Sequence, residues 1–210
     1  MNTYELDTKA AAAGDVIYSK VEQKGKYLGV LTRAETIKSD KGTTGVDMSF
    51  KSDCGATADY LTLWTHNSDG KALMGFNTLM AIMTCLRVNS LKAELGHIEK
   101  YDQDQQKRVM VGVELFKDIM NKPFGLLLRM EQYKKNAGGT AWKPTIAGAF
   151  DKDGFTATEI LSKAASPVLL EKMVLALKDK PLADSKTTPD TQNNGSETGG
   201  FSPLDADIPF

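Results

Sequence analysis

Between residues 25 and 66, three consecutive stretches carry the side-chain pattern of strands, and this most limits what the chain can become. The first, "GKYLGVLTRAETIKS", is rich in β-branched and aromatic residues. After the turn "DKGTTG" (Asp40–Gly45), Val46, Met48 and Phe50 alternate with Asp47, Ser49 and Lys51. A period of two belongs to a strand with one buried face, so these two stretches read as a hairpin. The third, "DYLTLWTH", puts Leu61 and Leu63 on one face. Tyr60, Thr62, Trp64 and His66 fall on the other.

The period then changes. Leu79, Ile82, Met83 and Leu86 recur at helical spacing, which predicts a buried helix over 75–88. The window around it, "ALMGFNTLMAIMTCLRV", is interrupted by Asn77, Thr78, Thr84 and Arg87. It falls short of the ~20 apolar residues a membrane span needs, so no membrane partner is expected. Residues 89–108 are polar and read as irregular. "VMVGVELF", "NKPFGLLLRMEQYKK" and "TAWKPTIAGAF" read as strands, the last at an edge because Pro144 interrupts it. Residues 155–180 read as helical. Thr156 and Glu159 form a capping box, and Ser166–Pro167 restarts the helix.

Three strands, one helix and at least two more strands is the order of the OB-fold, a five-stranded Greek-key barrel. The expectation is a mainly β chain: an OB-fold domain over residues 1–180 that includes an N-terminal leader (1–24) and C-terminal helices packed outside the barrel. From Pro181 the composition shifts to Thr, Ser, Asn, Gly, Asp and Pro. Leu182 is the one large apolar residue before Gly200. Residues 181–210 therefore read as a disordered tail. The tail nets −4 against −1 for the whole chain, leaving +3 on residues 1–180. A basic body with an acidic tail hints at nucleic-acid work.

Two groups of residues fit that hint. Tyr60 and Trp64 lie on the strand face opposite Leu61 and Leu63. On the 126–143 hairpin, Arg129 and Tyr133 share the face away from Leu128 and Met130, with Trp142 and Lys143 on the returning strand. Aromatics interleaved with cations suit single strands: rings stack on bases and cations neutralise phosphates, without reading sequence. Arg33 and Lys51 are further phosphate candidates. The bland alternatives are a covered aromatic pair and ordinary surface lysines.

Other chemistries find little support. Cys54 and Cys85 provide no disulfide framework and suit a reducing cytosol. With His66 and His97 they lack the close spacing of zinc motifs. "DKDG" (Asp151–Gly154) opens like a calcium loop, but its glycine comes fourth rather than sixth. No phosphate loop or nucleophile elbow is present. No cofactor, metal or catalytic residue is expected, so the reading is a non-enzyme. The first residues lack a basic region followed by an apolar run, so no secretion signal is expected.

The sequence closes on "FSPLDADIPF". An acidic, aromatic-ended peptide can seat its ring in an apolar pocket while its carboxylates pair with Arg or Lys. "DADIPF" closely resembles the C-terminal tip of bacterial single-stranded DNA-binding proteins. The body, over about residues 25–165, is similar to the OB-fold single-stranded DNA-binding proteins of bacteriophages. "GKYLGVLTRAETIK", "NKPFGLLLRMEQYKKN" and "DKDGFTATEIL" carry that likeness. The resemblance implies sequence-independent binding of single-stranded DNA in replication and recombination, in the host cytoplasm. It also implies recruitment of replication and recombination proteins through Asp205, Asp207, Ile208, Pro209 and Phe210. The alternatives are a double-stranded-DNA-binding or strand-annealing protein, a tail-mediated adaptor, and a metal-dependent nuclease.

Overall fold

A computed structural model describes residues 6–8, 20–102, 105–136 and 138–182. The protein is mainly β. Among the described residues there are seven strands and three helices. The strands are β1 (Gly25–Lys38), β2 (Thr44–Ser52), β3 (Thr57–His66), β4 (Glu94–Asp102), β5 (Lys107–Leu115), β6 (Phe124–Lys134) and β7 (Thr140–Asp151). The helices are α1 (Met74–Cys85), α2 (Ala157–Leu161) and α3 (Leu169–Ala176).

β1 is the trunk of the sheet. One edge pairs with β2 from Gly29↔Ser52 to Lys38↔Thr44. The other edge serves two neighbours. Gly25–Gly29 pair with β6, and Glu35 pairs with Leu115 of β5. A register shift between Leu31 and Arg33 marks an irregularity in the strand, and such irregularities bend a strand and re-aim its ends. The sheet thus branches, with β3–β2–β1 continuing to β5–β4 on one limb and to β6–β7 on the other. All ladders are antiparallel and the sheet does not close: among the described residues, β3 ladders with β2 alone and β7 with β6 alone.

The core lies inside this curved sheet. The inward positions of β1–β3 (Leu31, Ala34, Met48, Phe50, Leu61) meet Phe124, Leu126 and Leu128 of β6. Phe50 and Phe124 contact edge to face, with centroids 6.0 Å apart. α1 adds Leu79, Ile82 and Met83. Its first turn lies directly against β3, where a Cβ on Gly75 would sit 2.3 Å from the Trp64 carbonyl oxygen. Only glycine admits that approach.

The first three strands and the helix after them stand where their periodicity predicts. Residues 89–108 do not: instead of irregular chain they contribute β4 and the start of β5, paired continuously from Glu94↔Leu115 to Asp102↔Lys107. The 155–180 helix is two short helices separated by residues 162–168. The capping box on α2 is present. α3, however, begins at Leu169 with Val168 as N-cap, not at Ser166–Pro167. The reason is Glu159. Its Oε2 accepts the Thr156 N–H (2.9 Å) and hydroxyl (2.9 Å), and its Oε1 accepts the Val168 and Leu169 N–H groups (2.7 Å each). One buried carboxylate caps both helices. The "DKDG" segment is a turn: Asp151 accepts the N–H groups of Asp153 (3.0 Å) and Phe155 (2.9 Å), and pairs with Arg87 (3.2 Å).

Candidate nucleic-acid interface

Tyr60 owes its position to a local irregularity. Phe50 pairs with Ala58 and Met48 with Leu61, so β3 carries one more residue than β2 across this step. Asp59 and Tyr60 both turn outward, while Ala58 and Leu61 stay buried. Tyr60 sits in the left-handed region at φ 57°, unusual for an aromatic residue. Its side chain is 76% exposed.

Beneath it is a set of paired charges. The Arg33 guanidinium lies 5.9 Å from the Tyr60 ring centroid. It donates to Glu35 (2.7 Å), to Asp47, and through Nε to Ser49 Oγ (3.2 Å). Asp47 also accepts the Thr62 hydroxyl (2.6 Å), and Glu35 pairs with Lys100 of β4 (3.0 Å). Glu35 and Asp47 are buried. Arg33 is thus committed to two carboxylates; it supports the ring above it and offers no free fork to a phosphate.

The β6–β7 hairpin supplies the facing wall. Glu131 pairs with Lys143, Gln132 with Trp142 and Tyr133 with Ala141. The Lys143 amine lies 5.8 Å from the Tyr133 ring centroid, and Trp142 is 47% exposed. Lys180 hydrogen-bonds Glu131 (2.8 Å), and that bond lowers the Glu131 carboxyl below its ordinary range, helped by Lys143 and Arg129. Arg129 is half-buried opposite Thr145, and its Nε lacks a hydrogen-bond partner among the described residues.

The two walls enclose a cleft of about 650 Å³ where β3 and β7 approach without pairing. Tyr60 lines it from one side, and Tyr133, Trp142, Lys143 and Pro144 line it from the other. Lys20–Glu22 run along its β3 side, where the Val21 N–H donates to the Thr57 carbonyl (2.8 Å). The cleft's own charges are Lys20 and Lys143 against Glu22, Asp59 and Asp179. Asp179 is partly spent on the Met130 N–H (2.9 Å). The lining therefore combines three aromatic rings with two lysines and three carboxylates.

Of the residues singled out in the sequence, Tyr60, Tyr133, Trp142 and Lys143 come together here. Trp64 is exposed on β3, Lys51 is exposed on β2 and Arg129 is on β6, but none of them lines the cleft. Lys20 is the lining cation that sequence reasoning missed; its place follows from a long-range bridge to Thr57 that no local pattern announces. Asp205, Asp207, Ile208, Pro209 and Phe210 lie outside the described residues. The segment before them is placed. The Lys180 N–H donates to Met130 O (2.8 Å), Gln132 N–H to Lys180 O (2.9 Å), and Leu182 N–H to Gln132 Oε1 (3.1 Å). Lys180–Leu182 are therefore held along β6 beside the cleft.

Among the described residues, no three His, Cys, Asp or Glu side chains gather closely enough to hold a metal, and no helix is long and apolar enough to cross a membrane. No protein-family model matches the chain, and no curated protein matches it.

Proposed function

We propose that the protein binds single-stranded DNA without sequence preference and does no chemistry on it. The observation that carries this reading is the convergence of Tyr60 from β3 with Tyr133 and Trp142 from β6–β7 around one open cleft. Exposed rings facing a common groove stack on any base, and each such contact is worth roughly 1–3 kcal/mol. Lys143 and Lys20 take phosphates at the margins, with Lys51, Lys134 and Lys135 as outlying cations. Because the lining also carries acids, stacking outweighs phosphate contact in this cleft.

The connectivity supports an OB-type ancestry for the site. β1, β2 and β3 run in order, α1 follows, and β6 returns to pair with β1 while β7 pairs with β6. We read that as an OB-like order with the β4–β5 hairpin inserted and the cleft where β3 and β7 approach without pairing. On this reading the acidic–apolar peptide Asp205–Phe210 recruits partner proteins of DNA replication and recombination, in the host cytoplasm.

Tryptophan fluorescence titration with oligo-dT, against a matched duplex, tests the reading. Quenching and tighter binding of the single strand are expected. A preference for the duplex would favour the double-stranded DNA or annealing alternative. Magnesium-dependent cleavage of labelled DNA would overturn the non-enzymatic role.

A further inference from the structure

The outer face of the β6–β7 hairpin carries an arginine whose donors the fold leaves open. Leu126 and Leu128 of β6 belong to the core. Leu127, Arg129, Glu131 and Tyr133 alternate with them and with Met130 and Gln132, so they share the opposite face. On β7, Thr145 stands opposite Arg129, Lys143 opposite Glu131 and Ala141 opposite Tyr133. Lys143 is therefore a diagonal neighbour of Arg129. Helix α3 covers one end of this face, where a Cβ on Gly148 would come within 2.7 Å of Met173 Cε. The other end opens toward Tyr133, which is 40% exposed.

The chain has four arginines. Arg33, Arg87 and Arg108 each pair with a carboxylate. Among the described residues Arg129 pairs with none, and its Nε is buried without a hydrogen-bond partner. An unsatisfied buried donor is destabilising, and its presence in a fold calls for a reason, of which a bound anion is one.

The carboxylates nearby do not supply that anion. Glu131 accepts from the Lys180 amine (2.8 Å). That bond, followed by the charges of Lys143 and Arg129, holds Glu131 below the ordinary carboxyl range, so three cations surround one carboxylate. Of the acids in and after α3, Asp179 accepts the Met130 N–H (2.9 Å) and Glu171 pairs with Lys26 (2.5 Å).

An open guanidinium fork beside a lysine suits a phosphodiester, whose oxygens two parallel N–H donors can grip. Lys143 also lines the cleft, so it stands between Arg129 and the stacking rings. We propose that Arg129 binds a backbone phosphate of the single strand outside the cleft, with Lys143 as the step between. The strand then leaves the cleft across the outer face of β7 and β6. This inference rests on the single-strand reading of the cleft and adds a contact beyond it.

Titration of the full chain with oligo-dT of increasing length, at several salt concentrations, tests it. Tryptophan quenching reports the cleft, and anisotropy reports affinity. Arg129→Met keeps an unbranched stem and removes the charge and the Nε donor. It should reduce the slope of log affinity against log salt by about 0.7. Affinity should fall about tenfold, the scale of one hydrogen-bonded charge pair. Both losses should appear only with strands longer than the shortest that gives the full quench, and the quench itself should be unchanged. Arg129→Lys keeps the charge without the fork, so the slope should hold while affinity for long strands falls several-fold. Circular dichroism checks that each variant is folded. A wild-type slope in Arg129→Met with the quench intact would mark Arg129 as a solvated side chain only, overturning the proposal and leaving the cleft reading in place. Losses equal at every length would put the effect of Arg129 inside the cleft and overturn it too. If Arg129→Met does not fold, wild-type affinity of Arg129→Lys for long strands would overturn it. Neither binding nor quenching in wild type would remove the cleft reading, and this contact with it.

Discussion

Arg33 lies 5.9 Å from the centre of the Tyr60 ring, while its donors are occupied by Glu35, Asp47 and Ser49. The most exposed aromatic of the cleft therefore rests on a cation that is neutralised within the fold. Removing Arg33 leaves buried Asp47 without its ion-pair partner and Glu35 with Lys100 alone, and breaking a buried pair typically costs about 3–5 kcal/mol. Arg33→Lys keeps the charge but loses the planar fork, so a smaller loss is expected. Urea denaturation measures both. If Arg33 positions the ring and touches no phosphate, the salt slope of DNA binding will stay unchanged in a folded Arg33→Gln variant, which removes the charge.

Lys143 and Lys20 should behave differently from Arg33. If each meets a phosphate, as proposed, alanine at either position should reduce the slope of log affinity against log salt by about 0.7 on single strands. Binding measured at several salt concentrations provides the slope. An unchanged slope in both variants would remove them from the phosphate track.

Glu159 should govern acid stability. The backbone bond from Thr156, with those from Leu169 and Val168, lowers its carboxyl from 4.5 to about 2. A depressed carboxyl stabilises the fold fully above its unfolded value, and that contribution fades as pH falls from about 4.5 through about 2. Glu159→Gln should cost about 2 kcal/mol at neutral pH, the scale of hydrogen bonds to a charged group. The gap from wild type should narrow in denaturation series run toward pH 2.

Much of this was legible in the sequence, for identifiable reasons. β1–β3 and α1 put apolar residues at regular spacing into the core, and that spacing marks them. β4 carries charge on both faces, and its hairpin is covered by little of the body, so no apolar period betrays it. Tyr133, Trp142 and Lys143 stood out as rings among lysines. Tyr60 stood out too, but its outward turn rests on an extra residue in β3 that alternation does not reveal. Arg33 looked like a free cation because Asp47 reaches it only through the β1–β2 register. Ser166–Pro167 looked like a helix start because the reach of Glu159 to Val168 and Leu169 is tertiary.

The acidic segment should compete with DNA. The stretch from residue 181 onward nets −4, and its Leu182 is held at Gln132 beside the cleft. Deleting residues 183–210 should tighten oligo-dT binding about tenfold at low salt, with the effect fading once the screening length drops below ~10 Å. Fluorescence anisotropy of both proteins across a salt series checks it. Equal or weaker binding by the shortened chain would contradict the competition.

The cleft itself is tested most directly by an oligo-dT titration of wild type beside Trp142→Ala and Tyr60→Ala, followed by intrinsic fluorescence and anisotropy. Stacking in the β3–β7 cleft predicts quenching in wild type, loss of most of that quench in Trp142→Ala, and affinity reduced by about 1–3 kcal/mol in each variant. Wild-type affinity in both variants, with the quench intact, would contradict it.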